Sequence, residues 1–253
     1  MKRLIIALVL FLSCSDKNNS VHAQPVEKPE LILKGFMSYW NYDNKYVKLN
    51  REFIAQDESG NSIAKNIFFE KIIKQKYLSL RVISQENEYI LYKLPQSTDS
   101  EILRIAAQQA SFDYLNFKEE NKCIGNFNFT SITGVNYNNE NTKDKILVIK
   151  CWYIGCVKCV EEFPEMNKLV KKYYGKSNIL FLSLALNNKE QLEKFLSKHP
   201  LKFNVIPDKE SYLTDSLRIN MYPTSLVVRN GIILKRVNDV EDLKLALDKL
   251  YKD

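Results

Sequence analysis

The chain has 253 residues, 45% of them hydrophobic, and its 37 Lys and Arg residues outnumber 30 Asp and Glu residues to give a net charge of +7. This composition is that of a soluble globular protein and excludes disordered and collagen-like chains. The length fits one large domain or two small ones, each able to bury a core. Five cysteines are too few for a disulfide scaffold, so each cysteine needs its own explanation.

The N-terminus has the layout of an export signal. Two basic residues precede an apolar run over residues 4–12, which is shorter than the roughly 20 residues that a membrane-spanning helix needs. Residues 11–14, Phe-Leu-Ser-Cys, resemble a bacterial lipobox, although Phe11 replaces the usual aliphatic residue. We therefore predict a signal peptide over residues 1–13 and lipid attachment at Cys14, with plain secretion as the alternative. Lipidation would place the protein in the bacterial cell envelope, anchored to the membrane and facing the periplasm.

Loss of the signal would lower the net charge to +5, and the whole excess lies after residue 124, where 20 basic residues accompany 15 acidic ones. A surplus of this size, spread along a domain, is typical of a solvated surface. No basic stripe alternates with aromatic residues, and export also argues against a nucleic-acid partner. Residues 14–30 are polar and contain Pro25 and Pro29, which predicts a lipidated tether between membrane and domain.

Residues 31–122 should form a small α+β domain. Residues 46–53 come close to alternating apolar and polar side chains, which predicts a strand. Ser62 is placed to cap a helix over residues 63–74. The same rules predict a strand pair over residues 77–83 and 88–94 and a helix over residues 100–118. This domain has no concentration of catalytic residue types, and the sequence does not indicate its role.

Residues 123–253 alternate strands and helices, which predicts a layered α/β fold. Residues 146–151, apolar except for Lys150, are a strand of the kind that is buried in a central sheet, and a helix should follow over residues 157–174. The remaining predicted elements are a hairpin around residues 127–130 and Tyr137, strands over 178–186, 203–206, 225–228 and 232–235, helices over 189–198 and 240–251, and a helical turn over 212–217.

The strongest chemical signal is Gly155-Cys156-Val157-Lys158-Cys159, where the buried strand gives way to a helix. Two cysteines at this spacing can close a small disulfide ring, and the unpaired N–H groups of a helix N-terminus stabilise a thiolate on the first of them. We therefore predict Cys156 as the attacking nucleophile and Cys159 as the resolving thiol of a disulfide exchange. The chemistry then needs no cofactor besides the Cys156–Cys159 disulfide itself.

The same spacing also serves metal sites and structural disulfides. A structural zinc site needs four ligands, and the sequence has no second CxxC or CxxH. Haem attachment would require a histidine where Val160 stands, and a copper chaperone would want a histidine close to the pair. His199, at the end of a predicted helix, is more typical of a surface residue, so we predict no metal. A purely structural disulfide stays open, although the exposed start of a helix protects a disulfide poorly.

Three separated motifs resemble one known family. Residues 151–159 with their CxxC, the Glu-Phe-Pro of residues 162–164 and the Met-Tyr-Pro-Thr-Ser of residues 221–225 are similar to the membrane-anchored thioredoxin-like oxidoreductases of the TlpA/ResA type. The resemblance covers the chain from about residue 127 onward and implies a thioredoxin-like fold, a central sheet flanked by helices. It also implies that Pro223, after Tyr222, is cis, lies against the disulfide and helps to hold the substrate chain. An ordinary proline at the start of a strand is the alternative.

The resemblance assigns further roles around the cysteines. Glu162 matches the glutamate of the family's CxxCxxExP pattern and lies three residues after Cys159, on the same helix face. We predict that it assists proton transfer at Cys159, with a solvated helix carboxylate as the alternative. Pro164 should kink the helix. Lys150 stands where thioredoxin carries a buried acid, and its ammonium would either favour the thiolate or extend to solvent.

Three positions depart from the commoner family pattern. Gly155 stands where many relatives have tryptophan, so the rim of the site should be less aromatic. Val157 and Lys158 replace the commoner proline-containing pair, at positions that influence redox potential in the family. A lysine here tends to stabilise the reduced, thiolate form.

These motifs together predict an exported thiol-disulfide oxidoreductase that reduces disulfides of extracytoplasmic proteins and is reduced in turn by a membrane electron donor. A peroxiredoxin is one alternative, but it would need Thr or Ser where Tyr153 stands. A non-enzymatic surface lipoprotein with a thioredoxin-like binding domain is another. Of the other cysteines, Cys151 is expected to be a small buried hydrophobe, and Cys123 could form a second disulfide with it.

Overall fold

The N-terminal region (residues 24–122) folds around a three-stranded sheet. The computed structural model describes residues 24–251. In this first region the strands are β1 (Ile54–Gln56), β2 (Tyr77–Arg81) and β3 (Glu88–Lys93), and the helices are α1 (Pro29–Ile32), α2 (Phe36–Tyr46), α3 (Lys65–Ile73) and α4 (Ser100–Glu119). The central strand β3 is parallel to β1 and antiparallel to β2. The predicted strand pair and the helices α3 and α4 are confirmed.

Other predictions for this region are wrong. Residues 46–53 do not form a strand, because their backbone groups bond elsewhere: the Lys48 amide donates to the Tyr89 hydroxyl, and the Arg51 amide donates to the Lys48 carbonyl in a turn. The buried side chains of this segment produce a strand-like pattern without a strand partner. Ser62 does not cap α3, which begins after Ala64, and instead pairs with Gln56 in an isolated bridge.

The end of the predicted tether is part of the fold. Pro25 forms a bridge with Val82, the Val26 amide donates to the Arg81 carbonyl over 2.9 Å, and α1 begins at Pro29. Residues 24–30 therefore pack against the first sheet instead of extending from it. The predicted signal peptide, the rest of the predicted tether and Cys14 lie outside the described residues.

The C-terminal region (residues 123–251) contains a small hairpin and a five-stranded sheet with helices on its faces. The hairpin pairs β4 (Asn128–Thr130) with β5 (Asn136–Asn138), and the sheet comprises β6 (Ile146–Trp152), β7 (Ile179–Ala185), β8 (Asn204–Ile206), β9 (Thr224–Arg229) and β10 (Ile232–Val237). Its strand order is β10-β9-β6-β7-β8, with β6, β7 and β8 parallel and the other two antiparallel to their neighbours. The helices are α5 (Val157–Glu161), α6 (Phe163–Lys172), α7 (Lys189–Leu196) and α8 (Val240–Leu250), and a π-helical turn covers Tyr212–Ser216.

This region has the predicted thioredoxin-like α/β fold. Every residue of β6 is buried, as the apolar run predicted, and separate hydrophobic clusters cover the two faces of the sheet. The predicted helix over residues 157–174 is divided at Glu162 into α5 and α6, two residues before Pro164. Within residues 24–251, no helix combines the length and the apolar composition that crossing a membrane requires.

The two regions are joined along the edge strand β10. Helix α4 packs on β10, and the chain that follows α4 pairs with it: the Asn121 amide donates to the Ile233 carbonyl over 2.7 Å, and the Ile124 amide donates to the Gly231 carbonyl over 2.8 Å. Cys123 lies in this segment as an exposed free thiol, whereas Cys151 is a free thiol buried in β6. The two cysteines are not bonded to each other in this structure.

Candidate active site

The candidate site lies where β6 ends and α5 begins. The last residue of β6, Trp152, is fully buried and packs edge-on against Phe163 of α6, with the ring centres 4.9 Å apart. The following loop is held by Asn187, whose side-chain oxygen accepts a hydrogen bond from the Ile154 amide over 2.8 Å. A rigid buried strand on one side and a fixed loop on the other set the start of α5 in place.

Cys156 and Cys159 are joined by a disulfide at this helix start, with their Cα atoms 5.3 Å apart. Cys156 is the N-cap residue of α5, and its sulfur accepts a hydrogen bond from the Cys159 amide over 3.2 Å. Cys156 is 6% exposed and Cys159 is fully buried. In the reduced protein the same amide would stabilise a thiolate on Cys156, which is also the sulfur that a partner molecule can reach more easily.

Val157 and Lys158, between the two cysteines, face solvent. The Val157 side chain is 71% exposed, which is unusual for an aliphatic residue. Lys158 is also exposed. Gly155 directly precedes Cys156, and a Cβ at that position would lie 3.3 Å from the Tyr153 ring.

The loop before β9 also borders the candidate site. The Tyr222–Pro223 peptide bond is cis, as the resemblance implied. The Tyr222 ring meets the Tyr153 ring edge-on, with the ring centres 5.4 Å apart, and packs against the hydrophobic cluster that contains both cysteines. Burial raises the pKa of the Tyr222 hydroxyl to about 12, so this group stays protonated at neutral pH.

A buried ion pair lies beside this helix start. The Lys150 ammonium, on β6, bonds Oε2 of Glu162, and Oε1 of Glu162 accepts a hydrogen bond from the Val240 amide over 3.1 Å. The side chain of Lys150 is completely buried and that of Glu162 is 3% exposed. The alternatives of a solvated Glu162 and a Lys150 that extends to solvent are therefore both wrong. Burial lowers the pKa of Lys150, and the carboxylate of Glu162 opposes that shift.

Cys151 takes no part in this chemistry. It lies inside the sheet next to Lys150, and burial raises the pKa of its thiol to about 12. A thiol with so high a pKa stays protonated and is a poor nucleophile. The expectation of a small buried hydrophobe at this position is confirmed.

Sequence reasoning missed two asparagines that support the site. Asn187 fixes the loop before Cys156, and Asn238 donates to the Pro223 carbonyl over 3.0 Å and to the Thr224 hydroxyl over 2.8 Å. Asparagine next to the start of a helix predicts only a turn or a cap. No local pattern indicates that these side chains reach another loop.

The model of the AhpC/TSA protein family matches residues 121–240 of the chain. Thioredoxin-like protein YneN of Bacillus subtilis is 25% identical over 118 residues, which are 46% of this chain and 69% of that protein. Thiol-disulfide oxidoreductase ResA of Geobacillus thermodenitrificans is 23% identical over 148 residues, which are 54% of this chain and 84% of that protein. ResA of Geobacillus kaustophilus matches over the same length with 22% identity.

Solved structures also align with about half of the chain. A thiol-disulfide oxidoreductase from Bacteroides fragilis NCTC 9343 covers 51% of this chain and 99% of its own, with a TM-score of 0.47 and 23% identity. The thioredoxin domain of a thiol-disulfide oxidoreductase from Bacteroides vulgatus covers 52% of this chain and 96% of its own, with a TM-score of 0.47 and 17% identity.

Proposed function

The chain belongs to the thioredoxin-like thiol-disulfide oxidoreductases of the TlpA/ResA type, and we propose from this premise that it reduces disulfides of proteins outside the cytoplasm. The observation that carries the proposal is the Cys156–Cys159 disulfide at the start of α5. Its more exposed sulfur accepts an amide hydrogen bond, and the cis Tyr222–Pro223 loop lies beside it.

The reaction is a pair of thiol-disulfide exchanges. The Cys156 thiolate attacks one sulfur of the substrate disulfide, which forms a mixed disulfide and releases the other substrate sulfur as a thiolate. Cys159 then loses its proton and attacks the Cys156 sulfur, which releases the second substrate sulfur. Two electrons have passed from the dithiol to the substrate, and Cys156 and Cys159 are left as the disulfide seen in the structure.

The surrounding residues have distinct proposed roles. Glu162 lies three residues after Cys159 and is buried in its ion pair with Lys150, and its proposed role is to accept the proton that Cys159 must lose before the second attack. Pro223 and Tyr222 hold the substrate chain next to the disulfide. Val157 and Lys158 set the redox potential, and the exposed Lys158 ammonium favours the thiolate form.

The cycle needs a reductant and a location. Each turnover consumes two electrons, so we propose a membrane-bound dithiol donor that reduces the Cys156–Cys159 disulfide again. Export and lipid attachment at Cys14 would bring the protein to that donor. A fatty-acyl mass on the N-terminal cysteine of the mature protein supports this part of the proposal, and an unmodified Cys14 in the mature protein contradicts it without affecting the chemistry.

The function is tested by reduction of insulin disulfides with dithiothreitol as electron source. Wild type should accelerate the reaction, and Cys156→Ser should abolish the acceleration because it removes the attacking thiol and leaves Cys159 buried. Cys159→Ser should retain the first attack and accumulate mixed disulfides through Cys156. Cys123→Ser is the matched control, because it removes an exposed thiol far along the chain from the pair, and it should behave as wild type.

Two results would contradict the proposal. A wild-type protein no faster than Cys156→Ser would favour the non-enzymatic binding protein. Peroxide consumption by the reduced protein at a rate far above its insulin reduction would favour the peroxiredoxin. The mixed disulfides of the Cys159→Ser variant, isolated from the cell envelope, would identify the substrate proteins.

A further inference from the structure

The N-terminal region holds the turn between β10 and α8 from one side. This turn and the first residues of α8 form the segment 238–242, which receives a hydrogen bond from the Asn116 amide group to Oδ1 of Asn238. At its other end the Asp242 carboxylate is paired with Arg51, whose Nε lies 2.6 Å from Oδ1, and accepts a second hydrogen bond from Asn50 at Oδ2. Asn116 is 3% exposed and Asp242 is 4% exposed, so both contacts are withdrawn from solvent.

The same turn holds the candidate active site from the other side. Asn238 donates through Nδ2 to the Pro223 carbonyl and to the Thr224 hydroxyl, over 3.0 and 2.8 Å. Two residues further on, the Val240 amide donates to Glu162 over 3.1 Å. The turn therefore connects side chains of the N-terminal region with the cis-proline loop and with the buried carboxylate.

The geometry of Asn238 makes this connection directional. A carboxamide is planar, with its oxygen and its NH₂ group on opposite sides of one carbon. When Asn116 holds the oxygen, the NH₂ group must point toward Pro223 and Thr224. Without the Asn116 donor the carboxamide can rotate about its last side-chain bond, and the Pro223 carbonyl then loses a fixed donor.

We propose that the N-terminal region is a positioning element for the substrate-binding loop, and that Asn116 acts through Asn238 to fix the Pro223 peptide for protein disulfides. The inference rests on the proposed function. An extended peptide segment depends on the orientation of that loop, because it needs the loop's backbone groups in place. A small disulfide that reacts directly at Cys156 does not.

The test compares a protein disulfide with a small one. Reduced wild type, Asn116→Ala and Asn116→Asp are assayed with insulin and with oxidised glutathione. Asp has the size of Asn but, when ionised, has no N–H to donate, so it removes the hydrogen bond without leaving a cavity. Both variants should lower kcat/KM toward insulin about 3- to 10-fold, mainly through KM, with the rate toward oxidised glutathione changed less than about 2-fold.

The matched control is Glu120→Gln. It weakens another contact between the regions, the ion pair of Glu120 with Lys235, which lies 2.7 Å away on β10, outside the segment 238–242. This variant should leave both rates unchanged. Asn238→Ala should lower the rate of insulin reduction as Asn116→Ala does. The double variant should reduce insulin no more slowly than Asn238→Ala alone, because both substitutions break the same connection.

The outcomes distinguish failure of the inference about Asn116 from failure of the proposed function. Active wild type with Asn116 variants that match Glu120→Gln overturns the inference and leaves the proposed function intact. Equal losses toward insulin and oxidised glutathione also overturn it, because they indicate general damage to the fold. A wild type that reduces neither disulfide overturns the proposed function and the inference with it.

Discussion

At the scale of single residues, the buried pair of Lys150 and Glu162 is the most demanding feature of the site. Removing two charges from water costs free energy, and their attraction offsets that cost only when further hydrogen bonds satisfy the remaining groups. Glu162 has such a bond from the Val240 amide. Neither charge has access to solvent, so each depends on the other for its stability. The pair is therefore more sensitive to loss of one partner than to loss of both.

We predict that Lys150→Met lowers the free energy of unfolding by about 3 kcal/mol at pH 7, because it leaves the Glu162 carboxylate buried without its cation. Lys150→Met combined with Glu162→Gln should recover most of this loss, because the amide oxygen of Gln is neutral and can still accept from Val240. Urea unfolding of the oxidised proteins measures both effects. A single variant as stable as wild type, or a double variant less stable than the single one, would show that the two charges do not depend on each other.

At the scale of elements, the sequence predicts what local signals determine. Asn230 and Gly231 both have positive φ, 50° and 76°, as the two central residues of a tight hairpin require, and the strands predicted over residues 225–228 and 232–235 flank this dipeptide. The apolar run of β6 and the spacing of α4 were equally clear. The strand expected over residues 46–53 failed because strand formation needs a partner strand, which no local pattern specifies.

In the candidate site, too, local sequence signals predict some features, and others depend on how distant elements pack. The cysteine pair, Glu162 and Pro223 are visible as motifs, because chemistry fixes their residue types. The Lys150–Glu162 contact and the reach of Asn238 depend on how β6, α6 and the β10–α8 turn pack together. A lysine within an apolar strand, followed by a glutamate in a helix expected to cross that strand, was the available signal for the ion pair. The sequence does not specify the distance between them.

The hairpin supports a prediction at this scale. Gly231→Ala should lower the free energy of unfolding by about 1 kcal/mol, because an alanine is strained at a φ of 76°. Gly35→Ala is the control: Gly35 has an extended φ of 167°, and an added Cβ there meets nothing within 4 Å. Urea unfolding should separate the two variants. Equal stability of both would mean that the positive φ at Gly231 does not constrain the residue type.

At the scale of the whole molecule, a cavity of about 380 Å³ lies between the two regions. Its walls include carboxyl groups from both sides, Asp43 and Asp113 from the N-terminal region and Asp239 from the start of α8. Burial raises the pKa of Asp43 and of Asp239 to about 6 and that of Asp113 to about 7. Each of these groups therefore binds its proton more tightly in the folded protein than in the unfolded chain.

The sign of the resulting pH dependence follows from linkage. Between about pH 4, where an unfolded aspartate titrates, and about pH 7, the folded state holds more protons on these groups than the unfolded state does. Their contribution to the free energy of unfolding must then fall as pH rises through this window, and it levels off above about pH 8. Ionised Asp113 is also repelled by Asp43 and, across the junction, by Asp242.

Asp113→Asn tests the carboxyl group whose pKa is raised most among these three. The variant should be more stable than wild type by about 1–2 kcal/mol at pH 8, because it removes a carboxylate that is costly to bury, and the difference should vanish below about pH 4. Asp57→Asn is the control with the opposite sign: a hydrogen bond from the Asn61 backbone amide lowers the pKa of Asp57, so this variant should lose stability at pH 8 and none below that lowered pKa. Urea unfolding of the three proteins from about pH 2 to pH 8 gives the curves. A constant difference between Asp113→Asn and wild type across that range would show that Asp113 does not titrate in it.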